Sequence, residues 1–204
     1  MIPIRHEMEL QTGDILLFRG TSWLSYLIEF FGQSAYSHVG IILKNPSVLG
    51  LEDGLYLWDA SYGYTPDAEE HKKQYGVHIH KVDDILPLYP YHSVYVRRLH
   101  IERTEEMMEQ LAIVHHRVHG KPYNLHLYDW MASTWNMNQQ LAPSYAWRQT
   151  SRFWCSALVA YIYHEMGWVS DVNWSIIAPR EFSSKESTGQ LLFTSVLSDE
   201  VPLL

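Results

Sequence analysis

Short apolar bursts bounded by turn-forming residues fill the first hundred positions, and two longer stretches with helical character follow. Ile15-Leu16-Leu17-Phe18 comes directly after Thr12-Gly13-Asp14, a turn feeding a short buried strand. Gly20-Thr21-Ser22 starts a helix over 23–31 that Gly32 closes. Val39-Gly40-Ile41-Ile42-Leu43 is an apolar, largely β-branched run ending at Lys44-Asn45-Pro46, and residues 55–60 form the next strand after the Asp53-Gly54 turn. These two are expected to be antiparallel neighbours. Residues 77–82 and 93–99 add further strands, as in a small barrel-like sheet.

Thr104 opens a helix marked at both ends. Glu105, Glu106 and Glu109 lie toward its positive end, His115, His116, Arg117 and His119 toward its negative end, and Gly120 stands where the chain leaves it. Its apolar stripe is Met108, Leu111, Ala112, Val114 and Val118. Residues 124–151 carry tryptophans, asparagines and glutamines without a clean period and read as an insertion near a site. A second helix, over 154–166, is apolar on most sides and closes at Gly167, after which Ala178-Pro179 interrupts the chain. With 204 residues, 47% of them apolar, and no repeat or linker, residues 1–204 are expected to form one domain.

Composition narrows the partners. The formal net charge is −8 and no Lys/Arg run is present, which argues against nucleic acid. One cysteine supports neither an intramolecular disulfide nor a thiolate zinc cluster, so the thiol is free for chemistry. Residues 1–8 lack the basic and long apolar regions of a secretory signal, and no stretch approaches ~18 apolar residues, so no transmembrane segment and a cytoplasmic location are expected. The amphipathic segment 23–31 is assigned to packing over the sheet. His115 and His119 have i, i+4 spacing but no His-Glu-x-x-His pattern, and both suit a helix C-terminus. His78 and His80 share a strand face with no third ligand nearby in sequence. No metal and no cofactor are therefore expected.

The single cysteine, Cys155, sits in Phe153-Trp154-Cys155-Ser156-Ala157-Leu158 at the start of the second helix. Unpaired N–H groups at a helix N-terminus favour a thiolate, so the position suits a nucleophile; a small buried hydrophobe is the alternative. A nucleophilic thiol needs a base, and the base needs an orienting group. His38, in Tyr36-Ser37-His38-Val39-Gly40, opens an apolar strand where a solvated imidazole would be out of place. Asp59, between Trp58 and Ala60, is a carboxylate in a segment that wants burial and so needs a partner such as His38.

Gly13-Asp14-Ile15, Ser37-His38-Val39-Gly40-Ile41, Gly120-Lys121-Pro122-Tyr123 and Trp154-Cys155-Ser156-Ala157-Leu158-Val159 occur in that order. Together they resemble the circularly permuted branch of the NlpC-type papain-like superfamily, the YiiX/YebB-like proteins, related to lecithin:retinol acyltransferase-like enzymes. In unpermuted members the cysteine helix precedes the histidine strand; here His38 precedes Cys155. The resemblance spans roughly 12–182 and implies an α+β, circularly permuted papain-like fold, with a small antiparallel barrel or sheet packed against helices. It implies Cys155 as nucleophile, His38 as general base, Asp59 as the third polar residue, and Tyr123 as an aid to the Cys155 N–H in holding an oxyanion. Tyr36 and Trp154, beside the two reacting positions, are further substrate-facing candidates.

The activity so implied is thiol-dependent hydrolysis of an amide bond in a small peptide or amino-acid conjugate, with a lipid acyl hydrolase or acyltransferase and an inactive binding module as alternatives. For a lipid acyl substrate, Trp130, Trp135, Trp147 and Trp154 are the expected groove.

Overall fold

The computed structural model describes residues 9–20, 34–63, 65–122 and 153–203. Strands β1 (Ile15–Phe18), β2 (His38–Lys44), β3 (Leu55–Ser61) and β4 (Gly76–Lys81) are followed by β5 (Val94–Arg97) and β6 (Leu99–His100). The last described part of the chain contributes β7 (Val196–Leu197) and β8 (Val201–Pro202). Six strands form one antiparallel sheet in the order β4-β3-β2-β1-β5-β8, and β6 pairs with β7 apart from it. Between barrel and sheet, the described strands make a sheet. The expected pairing of the second and third strands is present, with Ile41 opposite Trp58 and Leu43 opposite Tyr56.

Period-two alternation gives this sheet two apolar faces. Val39, Ile41, Trp58, Ala60, Val77 and Ile79 join one core, while Ile42, Leu57, Leu16, Phe18 and Val94 join the other. Covering both faces is why the strands read as apolar runs. A short helix, α1 (Val82–Ile85), follows β4, and α2 (Glu105–Val118) follows β6. Thr104 caps α2 as its sequence suggests, its hydroxyl accepting the Met107 N–H at 3.2 Å, and Gly120 departs at φ 66°. The third helix, α3 (Cys155–Glu165), is buried at every position from Cys155 to Tyr163. Eleven residues are too few for a stable isolated helix. Packing holds α3, each buried Leu, Val or Ile contributing roughly 1.5–3 kcal/mol. The expected helix over 23–31 and the insertion at 124–151 lie outside the described residues.

The Gly13-Asp14 pair belongs to this framework. Asp14 is buried, its Oδ1 accepting the Leu99 N–H and its Oδ2 accepting the Gln11 N–H and Arg98 Nη1, each at 3.0 Å. Gly13 adopts φ 93°, and its carbonyl accepts the Tyr163 hydroxyl of α3 at 2.5 Å. A Cβ on Gly13 would stand 2.7 Å from Leu99 Cδ2. Gly13→Ala is therefore expected to lower unfolding free energy by ~1–3 kcal/mol, through positive φ and crowding together. Urea denaturation of the two proteins measures it, and an unchanged midpoint would contradict the assignment.

Candidate active site

His38 opens β2 opposite Phe18, and Asp59 lies on β3 opposite His78 of β4. The imidazole Nε2 is 2.7 Å from Asp59 Oδ2. An ionised carboxylate only accepts, so Nε2–H donates and Nδ1 is left for another partner. Gly40 permits the approach, because a Cβ there would fall 2.7 Å from Leu57 Cδ1 and 3.2 Å from Asp59 Cβ.

Asp59 is 2% exposed, so its charge must be compensated inside the protein. Burial acts to raise its pKa, but the His38 charge and hydrogen bond, with help from His80, hold the carboxyl well below the usual carboxylate range. For His38 burial acts to lower the pKa; the Cys155 charge and the Asp59 hydrogen bond and charge outweigh it and raise the imidazole well above its ordinary value. The helix that Cys155 opens packs against β2, and the charge of its thiol acts on the His38 ionisation. Three residues separated by up to 117 positions meet at one corner.

Cys155 is the first residue of α3 and is 5% exposed. The start of α3 is pinned by one acceptor, the Ile177 carbonyl, which takes Ser156 Oγ at 2.6 Å and Trp154 Nε1 at 3.2 Å. Cys155 therefore presents its side chain from a fixed turn whose leading N–H groups have no intrahelical partner. Trp154 is buried beside it. Tyr36 is buried too, and its hydroxyl donates to Glu200 Oε1 at 3.2 Å, so that hydroxyl is committed to the framework. Burial, then the Glu200 charge, pushes the Tyr36 pKa far up. Tyr123, Trp130, Trp135 and Trp147 lie outside the described residues.

Two partners of Asp59 were not expected. His78 Nε2 and His80 Nε2 stand 3.6 and 3.5 Å from Asp59 Oδ1, on the side away from His38. His78 Nε2 also meets Ser61 Oγ at 3.0 Å, and His80 Nδ1 meets Thr65 Oγ1. Burial and the neighbouring His80 lower the His78 pKa against the pull of Asp59. The two-residue spacing on one strand face was visible in sequence; the missing third group was the carboxylate already assigned to His38.

Among the described residues, two groups of side chains have donor atoms close enough to hold a cation, Asp59 with His78 and His80, and Glu69 with His115 and His119. Among the described residues no helix is long and apolar enough to cross a membrane.

Comparison with known proteins places the chain in a family. Residues 9–201 match the family described as permuted papain-like amidase enzyme, YaeF/YiiX, C92 family. A search of curated proteins finds no match. A similar solved structure is that of metalloprotein yiiX from Escherichia coli O157:H7, with 17% identity and a TM-score of 0.54 over 97% of this chain and 99% of that one. The likeness extends to the fold across nearly the whole chain, and the family match spans both halves of the histidine–cysteine corner. The chain belongs to the permuted papain-like amidases of the YaeF/YiiX, C92 family, and is an enzyme of the cysteine-amidase type.

Proposed function

We propose that the chain hydrolyses an amide bond in a small peptide or an amino-acid conjugate through an acyl-enzyme on Cys155. The observation that carries this is the 2.7 Å contact of His38 with buried Asp59, with Cys155 in reach of the same imidazole. His38 Nδ1 takes the thiol proton, and the thiolate attacks the carbonyl carbon. Asp59 holds the tautomer with Nε2 protonated and stabilises the imidazolium. The oxyanion lies against the Cys155 N–H, and Tyr123 keeps the second-donor role that the resemblance gives it. His38 then returns the proton to the leaving amine, whose C–N bond breaks to leave a thioester. Water, deprotonated by His38, attacks the thioester and releases the acid and the free thiol.

The similar structure is described as a metalloprotein, and this reaction routes no step through a metal. A cation on Asp59, His78 and His80 would set positive charge against the imidazolium that Asp59 stabilises. Glu69, His115 and His119 can hold one without that conflict.

A panel of fluorogenic aminoacyl and N-acyl-amino-acid amides tests the reading. Turnover is expected on amides, with a hydroxylamine-sensitive adduct on Cys155 seen by intact mass. Acyl release from phosphatidylcholine with no amide cleavage would replace it with the lipid reading. Cys155→Ala and His38→Ala are each expected to lower kcat/KM by at least ~10²-fold.

The pH profile carries a separate prediction. The alkaline limb reports loss of the His38 proton, and His38 titrates well above the ordinary histidine range. Asp59→Asn removes a negative partner that raises that value, so its alkaline limb is expected at lower pH than in the wild type. A limb that stays in place, measured as kcat/KM against pH, would remove Asp59 from the proposed triad.

A further inference from the structure

Away from the histidine–cysteine corner, a second cluster of ionisable side chains has no part in the chemistry above. His115 and His119 lie one turn apart at the C-terminal end of α2, and the connection between β3 and β4 delivers Glu69 to them. That connection is fixed. Buried Asp67 accepts the N–H groups of Glu69 at 2.8 Å and Glu70 at 2.7 Å through Oδ1, and that of Ile79 in β4 at 2.9 Å through Oδ2. The turn bearing Glu69 is thereby tied to the sheet.

Glu69 Oε2 lies 2.9 Å from His115 Nε2 and 3.1 Å from His119 Nδ1. Those separations suit hydrogen bonds, yet all three atoms are buried and none makes one. The ring nitrogens are near the oxygen, but no N–H of either ring is directed at it, so all three donors lack a partner. Around a tetrahedral cation with bonds of about 2.0–2.1 Å, ligand atoms lie about 3.3 Å apart. All three donor atoms here fall within 4.8 Å of one another.

We infer that Glu69 Oε2, His115 Nε2 and His119 Nδ1 form a site for a divalent transition-metal cation of the zinc type. Two imidazoles and a carboxylate are the donors such borderline ions take. The His115 side chain is 2% exposed, whereas those of Glu69 and His119 are 21% and 26% exposed, so the group lies at the edge of the core with its donor atoms turned inward. Glu70 Oε1 lies 3.6 Å from the other nitrogen of the His119 ring, Nε2, the side from which a carboxylate can orient a metal-bound imidazole, and Glu70 Oε2 is paired with Lys72. The cation clasps α2 to the β3–β4 connection, and His115 packs on Trp58, the residue before Asp59, with ring centroids 5.4 Å apart.

The test uses the full chain without a histidine tag, stripped with chelator, re-equilibrated with zinc or cobalt(II), dialysed, and measured by elemental analysis and visible absorption. The wild type is expected to retain about one equivalent and to show the intense absorption of tetrahedral cobalt. Glu69→Gln and His119→Ala are expected to bind at least ~10-fold more weakly, while His78→Ala retains the metal. His119 is part-exposed, so its truncation tests the site in a folded chain, with circular dichroism as the check on folding. Absence of retained metal in the wild type would overturn the inference. So would loss of metal in His78→Ala with full retention in His119→Ala. Neither result depends on whether the chain cleaves amides.

Discussion

A carboxylate in the interior is the constraint around which the sheet is organised. Asp59 is 2% exposed, and an unpartnered charge at that depth costs several kcal/mol even after relaxation. His38 on β2 meets the requirement at one oxygen, while the other, Oδ1, makes no hydrogen bond although β4 brings His78 and His80 within 3.6 Å of it. The missing side chain at Gly40 lets the two strands close on it. Separation of the two ionisations follows. Asp59 is held as the anion and the His38 pKa is raised, so the imidazole keeps a proton it takes up, which is what an acid–base pair needs.

The thiol is positioned by different means. Cys155 has its place because α3 is buried along most of its length and because the Ile177 carbonyl takes two donors from the start of the helix. The same helix reaches back to the first strand through Tyr163 and Gly13. Buried Glu200, close to β8, accepts Tyr36 and Ser183 and so joins the segment before His38 to the last described residues. The two halves are thus tied by polar contacts to backbone and carboxylate as well as by the shared core.

Much of this was legible in sequence, for reasons that can be named. Alternation and turn residues located β1 to β5 within one or two positions, and Thr104 and Gly120 marked α2 because caps are local chemistry. His38 and Asp59 stood out as polar residues inside apolar runs. What pairs at long range was less visible. The two-residue strand β8 carries no pattern of its own and joins the sheet only because β5 has an open edge. Glu69 reaches His115 across 46 positions on a turn organised by Asp67, and no spacing rule announces that meeting. The expectation of no metal rested on a missing third ligand for His78 and His80 and on the absent His-Glu-x-x-His pattern for His115 and His119, and tertiary structure brings a third donor to each pair. Gly13-Asp14, a motif of the resemblance, serves the framework, with its carboxylate spent on Leu99, Gln11 and Arg98.

The order of the elements along the chain has a consequence for synthesis. His38, Asp59 and the strands that bear them are encoded before residue 98, and the pairings β2–β3 and β3–β4 are between sequence neighbours. Cys155 emerges from the ribosome only later, on the helix that packs against β2 and β3. Hairpins with local contacts form faster than long-range pairings. The reactive sulfur therefore enters a scaffold whose proton acceptor is already encoded upstream, whereas the unpermuted order would expose the sulfur first. Permutation in this fold changes the interval during which a nascent thiol is without its base.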